Sequence, residues 1–283
     1  MNVTGGDKLN FGGFMVGNGA TNWDVDVSPS FPETVYKFNM IPKKYIDFMN
    51  DNGCVYYFND FRKHSGPASC DDVWQKVQDL TSGVNWYDLY MLADTNPLGG
   101  ALKAEDRVGK VMINGEEKTY KKGYTHAEYT PWLKHVSKQG PLMGSYLTEY
   151  VNSAELRKAL HIPDYAPGWS MCWDESHSYE VTQEGSVWIY PILKENGIRM
   201  MFYSGDTDGA LPTYGTKRWI ERLNWNSKAP WRPWLTNGQV SGYIHEYEGL
   251  DFITVKGTGH MAPQWKREQV TQMITRWTQE KTI

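Results

Sequence analysis

In Arg199-Met200-Met201-Phe202-Tyr203-Ser204-Gly205-Asp206-Thr207-Asp208-Gly209 an unbroken apolar run gives way to a sharp turn carrying two acids. A continuous apolar run of strand length is what a strand buried on both faces of a parallel sheet requires. Working outward, a helix bearing Trp219, Ile220 and Leu223 follows the turn. Next, Gly242 to Glu248 and Leu250 to Val255 alternate as a hairpin, and the second strand runs into Gly257-Thr258-Gly259-His260. Val270, Met273, Ile274 and Trp277 then recur at i, i+3, i+4 and i+7, the stripe of an amphipathic helix. The order is strand, loop with Asp, helix, strand, loop with His, helix. It predicts an α/β fold whose polar residues gather at the carboxyl ends of buried strands, where open α/β sheets build their sites.

Upstream, Gly12-Gly13-Phe14-Met15-Val16-Gly17-Asn18-Gly19 reads as a short buried strand ending in a glycine turn. Its Gly17-x-Gly19-x-x-Asn22 lacks the third glycine of a dinucleotide fingerprint. Gly109-Lys110 fails as a phosphate loop, because Ala104 and Val111 replace the required Gly and Ser/Thr. Lys110 to Tyr120, centred on Asn114-Gly115, reads as an exposed hairpin within Asp94–Tyr124, a polar, glycine-rich surface excursion expected to be mobile. Asn152-Ser153-Ala154-Glu155 caps a helix carrying Leu156, Ala159 and Leu160, and Val187 to Leu193 forms another.

Composition narrows the function classes. The 283 residues carry a formal net charge of −4, so no basic field exists to hold a nucleic acid. With 40% hydrophobic and 22% charged residues the chain has the makings of a folded core rather than a disordered tract. No apolar run is long enough for a membrane span. Thirteen Trp and 18 Tyr supply large contact area with polar handles, which suits aromatic-lined clefts. The start of the chain has no basic region or apolar stretch of a secretory leader, yet Asn2-Val3-Thr4 is a glycosylation sequon.

The cysteines are Cys54, Cys70 and Cys172. None forms a C-x-x-C pair and no His lies at zinc-finger spacing, so neither a structural zinc nor another metal is expected. Cys54 and Cys70 can close a loop of about 15 residues, worth roughly 3 kcal/mol in the chain-entropy model. Cys172 is then a free thiol or bonds outside this chain; three reduced thiols are the other reading.

Asp208 and His260 carry the chemistry. An acid after one strand and a His after a later one are the second and third members of the hydrolase order Ser…Asp…His. The carboxylate accepts the imidazole Nδ1–H and fixes its tautomer, and the other ring nitrogen takes the nucleophile's proton. Each has a plainer role: Asp208 as a turn carboxylate capping the next helix, a task Asp206 could share, and His260 as a hydrogen-bonded loop residue.

These residues resemble serine carboxypeptidases. The resemblance rests on Val16-Gly17-Asn18-Gly19, Tyr203 to Pro212, Gly257-Thr258-Gly259-His260-Met261-Ala262-Pro263, Gly238 to Tyr243 and Ala159-Leu160-His161-Ile162, and it covers essentially the whole chain. It implies an α/β-hydrolase fold, with a mostly parallel central sheet that this chain holds only in part and a large helical insertion. Residues 1–24 and 186–283 would form the hydrolase core portion and 25–185 the insertion or cap. It implies release of C-terminal amino acids from peptides through a Ser-Asp-His triad, without a cofactor. Asp208 would be the acid and His260 the base, with Asp206 outside the triad, and Met261 and Trp265 would shape the substrate pocket. Location would be vacuolar, lysosomal or secreted.

The family's Gly-Glu-Ser-Tyr nucleophile motif does not occur, and Ser145 in Gly144-Ser145-Tyr146 follows the wrong strand. The serine is therefore expected upstream of Met1, on a missing portion or partner chain that also pairs with the Phe14–Val16 strand and bonds to Cys172. Alone, the chain is expected to be inactive and, with an apolar strand edge unpaired, unable to fold. A non-catalytic hydrolase-fold scaffold and an acyltransferase on the same triad are the alternatives.

Overall fold

A computed structural model describes residues 11–54, 67–91, 108–113, 116–121, 150–169 and 185–283. In chain order its elements are β1 Phe14–Gly17, α1 Phe31–Lys37, α2 Lys43–Asp51, α3 Ser69–Thr81, β2 Val108–Ile113, β3 Glu116–Lys121, α4 Ala154–Ala159, α5 Ile189–Glu195, β4 Met200–Gly205, α6 Thr213–Arg222, β5 Ser227–Thr236, β6 Gln239–Tyr247, β7 Leu250–Val255, α7 Ala262–Trp265 and α8 Arg267–Thr278. They fall into two compact units, Met1–Tyr90 with Val181–Ile283, and Met91–Glu180. No described helix is long and apolar enough to cross a membrane.

The first unit is built on a five-stranded sheet in the order β1-β4-β7-β6-β5. β1, β4 and β7 run parallel, while β6 and β5 continue antiparallel, so the sheet is mixed. Side chains alternate across it, as the pleat demands. Phe14, Val16, Met200, Phe202, Leu250 and Phe252 face Tyr190 of α5 and Trp219 and Ile220 of α6. Met15, Met201, Tyr203, Ile253 and Val255 face Val270, Met273 and Trp277 of α8. The apolar stripe of that last helix is thus read correctly, and β4 is covered on both faces. On the α5–α6 side the rings of Phe202 and Trp219 meet edge-on at 4.8 Å, and those of Tyr190 and Phe202 at 5.1 Å. Such pairs add about 0.5–1.5 kcal/mol beyond area burial.

Two sequence expectations shift. The sequence shows three core strands, beginning near residues 13, 199 and 250; the sheet adds β5, and β6 begins at Gln239 rather than Gly242. β5 contains Pro230 and Pro233, which speak against a strand unless it lies at an edge, and an edge with irregular register is where it lies. Asn237 and Gly238, at φ 51° and 73°, form the tight turn that joins β5 to β6. The helix expected at Val187 starts at Ile189, after a turn.

A second cluster in this unit packs Phe31, Val35, Ile41, Met49, Val73, Val77 and Leu89 around a Cys54–Cys70 disulfide, with 5.6 Å between the Cα atoms. The reading of these two cysteines as reduced thiols is thereby set aside. In the second unit, β2 and β3 pair antiparallel as the expected hairpin. There α4 is capped by Ser153, whose hydroxyl accepts the Leu156 N–H at 3.3 Å. Asn2, Ser145 and Cys172 lie outside the described residues.

Candidate active site

β4 and β7 are parallel neighbours in register from Met200↔Leu250 to Gly205↔Val255, so their following loops leave the same edge of the sheet. The loops then run close together. A Cβ at Gly205 would lie 2.2 Å from the Gly259 carbonyl oxygen and 2.4 Å from that of Thr258. Only glycine fits such an approach.

The convergence places Asp208 Oδ2 2.9 Å from His260 Nδ1. Asp208 is fully buried, at 0% exposure, whereas the His260 side chain is 30% exposed. Both oxygens of Asp208 are saturated. Oδ1 accepts the backbone N–H groups of Ala210 at 2.9 Å and Leu211 at 3.0 Å, and Oδ2 also accepts the Asn18 side-chain amide at 2.7 Å. Asp208 does not cap the next helix, whose N-cap is Pro212 with no side-chain cap bond; its bonds to Ala210 and Leu211 lie in the turn before it. One oxygen caps the turn and the other holds the imidazole.

A carboxylate so surrounded only accepts, so the proton of the His260–Asp208 bond sits on Nδ1 and leaves Nε2 with a free lone pair. Among the described residues no hydrogen bond engages Nε2. Asn18 follows β1 at φ 44°. Its Nδ2 donates to Asp208 while its Oδ1 accepts the Gly205 N–H at 3.3 Å. The reversed amide would set oxygen against carboxylate and N–H against N–H, so the network fixes its orientation. Asn18 stands in a motif the sequence reading quotes, without a role there; an Asn between two glycines at a strand end is the signal that could have found it.

Asp206, the other acid of the turn, points elsewhere. It accepts the Gly257 N–H at 2.7 Å, and burial raises its pKa against the lowering effect of that bond and of the Thr258 backbone. It makes no contact with His260 among the hydrogen bonds of this loop.

Residues 85–90 complete the site and carry no sequence expectation. The Tyr87 carbonyl accepts the His260 N–H at 2.7 Å, and the Tyr87 ring lies 5.4 Å from the imidazole. The Trp86 carbonyl accepts Gly209 N–H and Ala210 N–H, each at 2.8 Å, and the Thr207 carbonyl accepts Leu89 N–H at 2.8 Å. Asp88, 5% exposed, accepts from Thr207 and Gly259.

Met261, directly after His260, is half-buried at the start of α7. Trp265 ends that helix, half-buried, and its buried indole N–H finds no hydrogen-bond partner among the described residues. Among the described residues no group of three or more His, Cys, Asp or Glu could hold a metal ion.

The serine carboxypeptidase family model matches residues 2–280. Serine carboxypeptidase 1 of Hordeum vulgare is 29% identical over 297 aligned residues, covering 97% of this chain and 58% of that protein. Serine carboxypeptidase-like 31 of Arabidopsis thaliana is 39% identical over 129 residues, 44% of this chain and 26% of that protein. Among solved structures, that of Kex1(delta)p, a prohormone-processing carboxypeptidase from Saccharomyces cerevisiae, superposes with a TM-score of 0.59 at 17% identity, over 95% of this chain and 54% of that one. The last likeness is one of fold, and it is a carboxypeptidase of the α/β-hydrolase architecture. The chain spans roughly half the length of several proteins it matches, 41% of one, 58% of another and 54% of the solved structure.

Proposed function

Because this chain belongs to the serine carboxypeptidase family, we propose that it supplies the acid and the base of a serine-type carboxypeptidase that releases C-terminal amino acids from peptides. The observation that carries this reading is the 2.9 Å contact between His260 Nδ1 and Asp208 Oδ2 at the carboxyl edge of adjacent parallel strands. His260 Nε2 takes the hydroxyl proton of a serine as its oxygen attacks the scissile carbonyl. Asp208 stabilises the imidazolium, which then hands the proton to the leaving amine. The acyl-enzyme is released by water activated at the same nitrogen.

The serine itself belongs to polypeptide outside residues 1–283 in this proposal. Neither Gly-x-Ser-x-Gly nor Gly-Glu-Ser occurs in the sequence. Cys172 is the proposed covalent link to that portion. Met261 and Trp265 are proposed to line the pocket for the substrate side chain. The disulfide favours an oxidising route. With the Asn2 sequon, it supports a vacuolar, lysosomal or secreted protein.

The test uses a serine-directed fluorophosphonate on the full-length protein. Labelling is expected at a serine outside residues 1–283 and is expected to vanish in His260→Ala. Residues 1–283 alone are expected to hydrolyse no peptide, since loss of a triad nucleophile costs on the order of 10⁶-fold in rate. A full-length protein that neither labels nor cleaves would leave the non-catalytic scaffold as the reading.

A further inference from the structure

One buried carboxylate joins the two loops of the site at the residues directly preceding Asp208 and His260. Asp88 Oδ1 accepts the Thr207 hydroxyl at 2.8 Å, and Oδ2 accepts the Gly259 N–H at 3.1 Å. Oδ1 also accepts the Tyr90 N–H at 3.1 Å, which fixes the carboxylate in its own turn. We propose that Asp88 is a positioning residue for the Asp208–His260 pair, acting through Thr207 and Gly259 without touching substrate.

The two loops are also tied directly, by Asp206 N–H to the Val255 carbonyl and Thr207 N–H to the Thr258 carbonyl at 3.1 Å each and by Gly257 N–H to Asp206 at 2.7 Å, and Asp88 adds a side-chain tie at the residues immediately preceding Asp208 and His260. Each loop is rich in glycine: Gly205 and Gly209 flank Asp208, and Gly257 and Gly259 precede His260. Glycine backbone is soft, and the Asp208–His260 bond must tolerate the imidazole gaining and losing a proton. A third, packed segment adds a further restraint. The Gly259 N–H belongs to the peptide unit immediately before the one that carries the His260 amide. Holding it sets where the His260 Cα projects the ring. The Thr207 hydroxyl does the same for Asp208. Backbone bonds from His260 N–H to Tyr87 and from Leu89 N–H to Thr207 run beside the carboxylate and share its load.

The kinetic part of this proposal rests on the carboxypeptidase reading; the spectroscopic part does not. Asp88→Ala removes both arms. In Asp88→Asn the amide oxygen still accepts Gly259 N–H and the NH2 donates to the Thr207 hydroxyl, so both arms between the loops remain while the bond from Tyr90 N–H is lost. In full-length protein, Asp88→Ala is expected to lower kcat by about 10–100-fold with KM little changed, the scale of an ångström-level misplacement. Asp88→Asn is expected to restore most of that loss. The proton NMR signal of His260 Nδ1–H, assigned by its absence in His260→Gln, is expected to weaken and move upfield in Asp88→Ala and to return in Asp88→Asn. A folded Asp88→Ala protein with unchanged kcat and an unchanged signal overturns the proposal. Should Asp88→Ala not fold, Thr207→Val removes one arm only, and an unchanged signal there overturns it as well. If the wild type proves to lack peptidase activity, the functional reading fails, and the proton signal alone decides the role of Asp88.

Discussion

Asp208 illustrates how much one side chain can carry. It is buried without a cationic side chain among its hydrogen-bond partners, and it survives there because four donors meet its two oxygens. Asp208→Asn keeps the size but reverses one donor–acceptor role and favours the wrong imidazole tautomer. If the proposed activity holds, in the full-length protein it is expected to lower kcat by about 10⁴-fold while the circular dichroism spectrum stays native. A loss below tenfold would reassign the triad acid. At this scale Asp208 and His260 were legible because each follows a strand in a short, distinctive turn. Asp88 was not, because its partners lie 119 and 171 positions away in sequence. Local pattern holds no record of a contact of that span.

The elements bring these residues together through register and close backbone approach. The His-bearing loop after β7 is wedged between the turn after β4 and the segment 85–90. A Cβ at Gly259 would sit 1.8 Å from the Tyr87 carbonyl oxygen and 2.7 Å from the Asp88 Cα. Gly259→Ala must therefore part the loop from its support. It is expected to cost about 1–3 kcal/mol in a denaturant melt. A fall in kcat/KM larger than the unfolded fraction explains is expected alongside it, because His260 moves with the loop. Retention of full activity would mean the two segments separate without displacing the imidazole. Strands β4 and β7 were readable from apolar runs and alternation. β5 was hidden by its prolines, which local rules assign to loops and which only an edge position allows.

At the scale of the whole molecule, the burial of Asp26, Asp206 and Asp251 contributes stability at low pH that is lost as pH rises. Asp26, in the loop between β1 and α1, is buried, and desolvation raises its pKa from 3.8 to about 7 despite backbone N–H bonds from Thr21 and Asn22. Desolvation also raises Asp206 and Asp251. A carboxyl whose folded pKa exceeds its unfolded value holds a proton in the fold that the unfolded chain has released. Its contribution therefore falls as pH rises from about 4 to about 7 and stays at its lower level above that. Thermal unfolding of the full-length protein is expected at a higher midpoint near pH 4.5 than near pH 7.5. Asp26→Asn is expected to raise the midpoint at pH 7.5 and flatten the slope between the two. An unaltered slope in that variant would show that Asp26 ionises without cost.

Readable in the sequence alone were the α/β class, strands β1, β4 and β7 with most of β6, the helices α5, α6 and α8, the pairing of Cys54 with Cys70 as one of two choices, and the acid and the imidazole at strand ends. Each of these depends on neighbours within a few residues, where hydrophobic period, turn chemistry and spacing are written directly. The tertiary structure alone decided that Asn18 grips Asp208, that Asp88 ties both loops, and that one oxygen of Asp208 is left for His260. Those choices arise when distant segments are packed to van der Waals contact and every buried donor must find an acceptor, a condition that no local stretch of chain can state.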